Sequence, residues 1–250
     1  MGARRVEHVM GTAVVADIRD DGAWEDALDG LFEWLRFVDA TFSTYREDSQ
    51  ISRLNRGELR PGDAHPDVGE VLARCAELRE QTAGYFDAGA TGDGVDPSGL
   101  VKGWSIERGA RLLERAGCSN FAVNAGGDIV VRGGALPEEA WRVGIQHPTR
   151  PGAVSTLLAV SDLAIATSGD YERGGHVLDP FTRRPARGLL SVTLVGPDLG
   201  TGDAYATAAF AMGARGPHWT ARLPRGYEAM SILVDGTVLA TPGFGALEAG

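Results

Sequence analysis

The sequence predicts an α+β fold, with antiparallel sheets flanked by helices in a single two-lobed domain over residues 1–250. Three observations support this prediction. Apolar residues recur at helical spacing in the first half, whereas short alternating segments separated by turn residues dominate the second half. Helices that precede strands favour an antiparallel sheet over repeated βαβ units. The length suffices for one large core, and no internal repeat, low-complexity tract or linker divides it.

The first half is predicted to contain two strands followed by helices. In chain order we expect a strand pair at 6–18, a long amphipathic helix at 24–38, irregular polar chain at 39–56, a helix at 68–78, glycine-rich chain at 84–103 and a helix at 101–116. The strand pair is broken near Met10, Gly11 and Thr12, and Gly117 is the expected C-cap of the last helix.

The second half is predicted to be mostly sheet. Strands are expected at 121–123, 129–132, 141–145, 154–160, 163–167, 190–195 and 230–234. One Ala-rich helix at 202–212 lies between the last two of these strands.

Charge and composition exclude some classes of partner. A net charge of -10 argues against nucleic acid, because binding to the phosphate backbone needs a basic surface. The two cysteines do not form a disulfide framework, which favours buried thiols in a reducing compartment. We find neither a signal peptide nor an apolar run of membrane-spanning length, so we expect a cytoplasmic protein without membrane insertion.

Two glycine-containing segments could approach a ligand. In VDPSGLVKG, Asp96, Gly99 and Lys102 are spaced by three and lead into a helix, where free amides and the lysine suit phosphate. Taken alone, however, this segment is explained well by helix-start chemistry. Gly126 and Gly127 lie between two predicted strands, where a hairpin turn is the simpler interpretation of the segment.

Two further segments carry polar groups in unusual density. TSGDYERGGHVLDP begins at Thr167 and Ser168 and contains His176, which suits a general base, a phosphate donor or a satisfied loop histidine. In GDAYATAAFAMG, Asp203 and Thr207 lie four apart on one helix face. This pair would be explained by an acid that complements the helix dipole in the first turn and a threonine whose hydroxyl donates to a carbonyl of the preceding turn. A Mg²⁺ ion held by the two side-chain oxygens would explain it as well.

Taken in order, these segments resemble the FAD:protein FMN transferase (ApbE) family along nearly the whole chain. The motifs are MGT at 10–12, FSTYREDSQISRLN at 42–55, GYFD at 84–87, DPSGLVKGW at 96–104, NAGGDI at 124–129, W-x-V-x-I-x-x-P from Trp141, IATSGDYER at 165–173, HVLDP at 176–180 and GDAYATAAFAMG at 202–213. None is specific alone, but the ordered series is highly specific.

The resemblance implies a fold of the ApbE type and a Mg²⁺-dependent reaction. FAD is split at its pyrophosphate, FMN passes to a threonine or serine of an acceptor flavoprotein, and AMP leaves. The implied metal ligands are Gly99, Asp203, Ala206 and Thr207, and the implied catalytic residues are His176, Lys102 and Asp203. The implied FAD-binding residues are Met10, Tyr45, Asp96, Lys102, Gly126, Gly127, Thr167, Ser168 and Val177.

Two features depart from the family pattern. Asp96 follows Asp87 by only nine positions, where many family members carry several dozen residues that include part of the adenine site. In addition, Arg183 replaces the glycine of the usual D-P-x-T-G-x-P motif. We therefore expect either a different turn geometry at this position or an arginine that reaches a phosphate.

Two other activities would use the same residues. An FAD pyrophosphatase would use water as the nucleophile in place of a protein hydroxyl, and a flavin carrier would hold FAD without turnover. The presence of Asp203, Thr207 and Lys102 argues against a carrier, because binding alone needs no metal. Protein flavinylation is therefore the predicted function.

Overall fold

The computed structural model describes residues 2–92, 94–135, 139–169 and 177–249. The helices are α1 (Glu25–Phe42), α2 (Gln50–Asn55), α3 (Pro66–Gln81), α4 (Ser98–Arg115), α5 (Leu199–Ala211) and α6 (Gly216–Thr220). The strands are β1 (Ala3–Val9), β2 (Thr12–Ile18), β3 (Phe121–Ala125), β4 (Asp128–Arg132), β5 (Trp141–Gln146), β6 (Val154–Val160), β7 (Ala164–Gly169), β8 (Leu178–Asp179), β9 (Arg184–Pro185), β10 (Leu189–Gly196), β11 (Glu228–Leu233) and β12 (Val238–Ala240).

Eight of these strands form one sheet, in the order β1-β2-β3-β4-β7-β10-β11-β12. Strands β5 and β6 pair as a separate ribbon, and the short strands β8 and β9 pair with each other. Each of these pairings is antiparallel, which confirms the predicted α+β class.

The central strands of the large sheet are buried on both faces. In β7, Ala164 and Ala166 belong to a large core shared with the helices, whereas Ile165 belongs to a smaller core with the β5–β6 ribbon. Successive residues of a strand point to opposite faces, so the alternation assigns one face to the helices and the other to the ribbon. The sheet therefore separates a helical core from a ribbon-covered core within one fold.

Several element boundaries differ from the prediction for local reasons. The segment predicted as irregular contains α2, whose N-cap Ser49 accepts a hydrogen bond from the Ser52 amide. Helix α5 begins earlier than predicted, because Asp198 caps it by accepting from the Thr201 amide at 2.8 Å. Asp203 therefore does not lie in the first helical turn, and its interpretation as a macrodipole partner there was wrong.

Helices α4 and α5 approach closely at a glycine. A Cβ placed on Gly103 would stand 2.6 Å from the carbonyl oxygen of Leu199, so only glycine allows this contact. The contact matters for function because Gly103 directly follows Lys102 on α4, while Asp203 lies one turn along α5.

The glycine contact gives a matched pair of predictions. Gly103→Ala is expected to lower the free energy of unfolding by about 1–3 kcal/mol, because the new methyl group meets backbone that cannot yield. Gly30→Ala, in a helical position with nothing within 4 Å of the added Cβ, should raise it by about 0.4–1 kcal/mol. Urea denaturation of both variants is the measurement. Equal effects would contradict the close approach.

The two cysteines are buried free thiols, as predicted. Burial raises the pKa of Cys75 to about 12 and that of Cys118 to about 11, so neither supplies a thiolate near neutral pH. None of the helices that the structure describes combines the length and apolar composition of a membrane-spanning segment.

Candidate functional site

A cavity of about 540 Å³ opens between the helical layer and the end of the large sheet. Its walls come from the chain after α1, the loop at 85–91, the start of α4, the end of β7, residues 177–180 and the face of α5 that carries Asp203 and Thr207. This volume lies within the range of small-molecule and cofactor sites.

An ion pair with a buried carboxylate lies at the floor of the cavity. Lys102 Nζ stands 2.7 Å from Asp128 Oδ2, and the Asp128 side chain is 1% exposed while that of Lys102 is 31% exposed. The other oxygen, Asp128 Oδ1, accepts from the Thr167 amide at 3.3 Å. The β4 acid is thereby fixed against the end of β7.

A second buried carboxylate, Asp203, adjoins this ion pair. Burial raises its pKa well above the ordinary value, and the neighbouring Asp128 carboxylate raises it further. Lys102 and the backbone amide of Gly103 act in the opposite direction, because each favours the charged form. Two carboxylates therefore share one buried region with a single ammonium group close to them.

One carboxylate oxygen of this region is unsatisfied. Within the part of the chain that the structure describes, Asp203 Oδ2 is a buried side-chain atom without a hydrogen-bond partner, whereas Asp128 Oδ2 faces the Lys102 ammonium at 2.7 Å. A buried polar atom without a partner is costly, so the Asp203 oxygen, close to a second acid, points to a cation site. The chemistry of Asp203 therefore fits a metal ligand.

Neutral oxygen donors complete the candidate metal site. Thr207 Oγ1 lies 3.4 Å from Ser168 Oγ, one turn along α5 from Asp203. A Cβ placed on Gly99 would stand 3.8 Å from Thr207 Oγ1, so the backbone at the start of α4 passes close to this hydroxyl. Mg²⁺ prefers such oxygen ligands and commonly takes one or two carboxylates together with substrate phosphate. The described residues contain no group of three or more His, Cys, Asp or Glu side chains arranged for metal binding. The candidate site therefore depends on hydroxyl and carbonyl oxygens in addition to a carboxylate.

Asp96 caps α4. Its Oδ1 atom accepts from the Ser98 amide at 3.0 Å and also from the Ser98 hydroxyl. The helix-start interpretation of this segment therefore describes its local structure, and Asp96 also lines the cavity. The first turn of α4 lies at the same wall as Lys102, and its Leu100 and Val101 amides donate to the Pro97 carbonyl.

The structure brings most of the predicted site residues together. Those that line the cavity are Met10, Tyr45, Asp96, Gly99, Lys102, Thr167, Ser168, Val177, Asp203 and Thr207. Ala206 is buried within α5, and Gly126 and Gly127 form the β3–β4 hairpin turn and are not among the residues that line the cavity. His176 lies outside the described residues, so its role stays a prediction.

Asp128 is the site residue that sequence reasoning missed. The pattern NAGGDIVV suggests only a turn, yet Asp128 is a buried residue at the start of an otherwise apolar strand. An acid at an inward strand position is the signal that could have identified it, because buried carboxylates need a partner.

The turn after β8 keeps the backbone geometry of glycine despite carrying an arginine. Arg183 has φ of 55°, and its amide donates to the Asp179 carbonyl at 2.7 Å. This left-handed conformation is one that glycine adopts readily. Asp179 Oδ1 also accepts from the Phe181 amide at 2.9 Å, which holds the turn in this left-handed form.

The sequence matches a known family model over most of its length. The model of the ApbE family matches residues 10–92 and 90–231. The FAD:protein FMN transferase of Haemophilus influenzae is 26% identical over 272 residues, covering 82% of this chain and 79% of the relative. The protein of the same name from Rhodobacter capsulatus is 31% identical, covering 90% of this chain but only 42% of the relative.

Solved structures share the fold. The ApbE protein of Thermotoga maritima superposes with a TM-score of 0.89 at 22% identity, and each chain is covered completely. The flavin transferase ApbE of Vibrio cholerae gives a TM-score of 0.86 at 23% identity, with 99% of each chain covered. The sequence match and the shared architecture agree: this chain belongs to the ApbE family.

Proposed function

We propose that residues 1–250 act as one flavin transferase domain, which moves FMN from FAD to a threonine or serine hydroxyl of an acceptor flavoprotein. The acceptor oxygen forms a bond to the FMN phosphorus, the bond from that phosphorus to the bridging oxygen breaks, and AMP leaves. The family relatives named FAD:protein FMN transferase support this reaction. The observation that carries it is the buried acid Asp203, which lines a cavity of about 540 Å³ with an unsatisfied oxygen and lies beside the Lys102–Asp128 ion pair.

We propose that Asp203, Thr207 and the Gly99 carbonyl hold a Mg²⁺ ion, with Ala206 contributing its own carbonyl. When bound, Mg²⁺ neutralises charge on the pyrophosphate and orients its oxygens. The orphaned Asp203 oxygen and the nearby Thr207 hydroxyl support this assignment, because both are oxygen donors on the inward side of α5.

Lys102 has a different role in the proposal. Its ammonium group lies at the cavity wall and is held by Asp128, so its position is set before substrate enters. A preorganised cation costs little rearrangement when negative charge develops during transfer. Asp128 is therefore a positioning residue that acts through Lys102.

The proton of the attacking hydroxyl needs an acceptor. His176 is the proposed base, on the basis of the family resemblance. Asp179 is the weaker candidate, since its Oδ1 atom already accepts from the amides of Phe181 and Thr182. A carboxylate that serves as a turn cap is less available to receive a proton.

The test combines the purified protein with FAD, Mg²⁺ and a flavoprotein fragment that carries one acceptor threonine. We expect a covalently fluorescent fragment and an equal amount of AMP, and no labelling when that threonine is replaced by valine. Free FMN and AMP without a labelled fragment would instead identify a pyrophosphatase. Unchanged FAD would identify a carrier, and either result would overturn the proposal.

A further inference from the structure

Arg183 occupies a backbone conformation that disfavours its side chain. Its φ of 55° places it in the left-handed region, where a bulky residue costs about 1–2 kcal/mol relative to glycine. Such strain persists where the surrounding chain fixes it, and here the amides of the turn are tied to Asp179. A role for the Arg183 side chain would explain why an arginine occupies a turn that suits glycine.

The side chain reaches from its own turn to a loop beside the cavity. A Cβ placed on Gly92 would stand 3.6 Å from Arg183 Nη1, so the guanidinium lies against the shortened loop that follows Asp87. Thr91 of that loop and Pro180 of the Arg183 turn both line the cavity. The guanidinium therefore lies at the cavity rim, where these two segments meet.

The charge balance of the cavity leaves a role for this cation. The lining includes four carboxylates, of which, within the described chain, Asp39 and Asp87 pair with arginines outside the lining and Asp96 and Asp203 do not. Lys102 is the single cationic side chain among the described lining residues. Lys102 is already paired with Asp128. Across residues 2–92, 94–135, 139–169 and 177–249, no carboxylate forms an ion pair with Arg183. A dinucleotide pyrophosphate brings two further negative charges into a cavity whose one lining cation is already paired.

We infer that Arg183 forms an anion-binding subsite for the phosphate of the AMP half of FAD. The inference rests on the proposed function, in which Lys102 and the oxygen donors of α5 serve the FMN phosphate at the buried floor. Arg183 is exposed at the rim, so it is placed for the half of the substrate that leaves toward solvent. A guanidinium suits this role because its parallel N–H groups contact two phosphate oxygens at once.

The test compares AMP and FMN binding by calorimetry at saturating Mg²⁺ for the wild type, Arg183→Gly, Arg183→Lys and the matched control Arg184→Gln. We expect Arg183→Gly to weaken AMP binding at least about tenfold, to change FMN binding less than about twofold, and to raise the melting temperature by about 2–4 °C through relief of strain. Arg183→Lys should retain part of the AMP affinity, and Arg184→Gln should retain all of it.

Removal of a merely structural arginine would not stabilise the fold and weaken AMP binding at the same time. A higher melting temperature together with a lower AMP affinity therefore indicates that Arg183 recognises the phosphate. Unchanged AMP affinity in Arg183→Gly, or equal losses for AMP and FMN, would overturn the inference. Neither measurement requires turnover. If AMP binds through Arg183 but no acceptor is ever labelled, the proposed function fails while the subsite stands.

Discussion

Asp203→Asn is expected to abolish flavin transfer and at the same time to stabilise the metal-free protein. The amide keeps the shape of the side chain but removes the charge that would hold Mg²⁺, so we expect kcat/KM to fall by at least about 10³-fold. Without metal, the wild-type carboxylate is buried beside Asp128 with an unsatisfied oxygen. Removing this charge should raise the free energy of unfolding by about 1 kcal/mol, as is common for substitutions at strained active sites.

The stabilisation should depend on pH in a defined direction. Folding raises the pKa of Asp203 above its ordinary value of 3.8, so the native state binds this proton more tightly than the unfolded chain does. The stability contributed by the protonated form is fully present below the unfolded pKa and is lost as pH rises through the folded pKa. The advantage of Asp203→Asn should therefore be largest at neutral and higher pH and should vanish toward pH 3.8.

Thermal melts in EDTA across this pH range, with and without added Mg²⁺, provide the measurement. The exposed Asp235→Asn is the matched control, and it should change neither turnover nor the response to Mg²⁺. We expect Mg²⁺ to raise the melting temperature of the wild type but not that of Asp203→Asn. Full activity in Asp203→Asn, or an unchanged Mg²⁺ response, would contradict the metal assignment.

Lys102→Met should reduce both activity and stability. The substitution leaves Asp128, which is 1% exposed, without its cation and next to a second acid. Breaking such a pair from one side is destabilising, and because Lys102 is partly exposed we expect about 2–3 kcal/mol, or several degrees in melting temperature. Loss of the preorganised ammonium should lower kcat by about 10²–10³-fold.

The double variant Lys102→Met with Asp128→Asn separates these two effects. Replacing the unpaired charge by a neutral amide should restore most of the stability, because no buried carboxylate then remains without its cation. Activity should stay low, since the cation that faces the substrate is still missing. If the double variant is no more stable than Lys102→Met, or regains activity, the assigned roles of Lys102 and Asp128 are wrong.

Much of the fold could be predicted from the sequence because its signals are local. The 3.6-residue spacing from Trp24 to Val38 and the alternation along the strands reflect which faces are buried. The first residues of helices were harder to predict from the sequence, as α5 illustrates. Its residues 199–202 include two glycines, which are poor helix formers, so only the cap at Asp198 and the packing against α4 reveal that they are helical.

The candidate site could be predicted only in part, because some of its residues come together only in the folded chain. Asp203, Thr207 and Lys102 stand in recognisable motifs, and the ordered motif series indicated the family before any geometry was known. Asp128 became identifiable only when the sheet brought β4 next to β7 and faced its side chain toward Lys102. The left-handed conformation of Arg183 was equally inaccessible, because the residue type at that position argues against it.

The burial of α5 limits how an acceptor protein can reach the reacting phosphate. Asp203 and its neighbours on α5 lie beneath the cavity walls, not on an open surface. A threonine hydroxyl stands only two bonds from its own main chain, so that chain has to enter the cavity along with the hydroxyl. For the proposed reaction, a threonine on a flat helix or strand of a finished domain is thus out of reach. The modified residue belongs on a protruding loop or on a segment that has not yet folded.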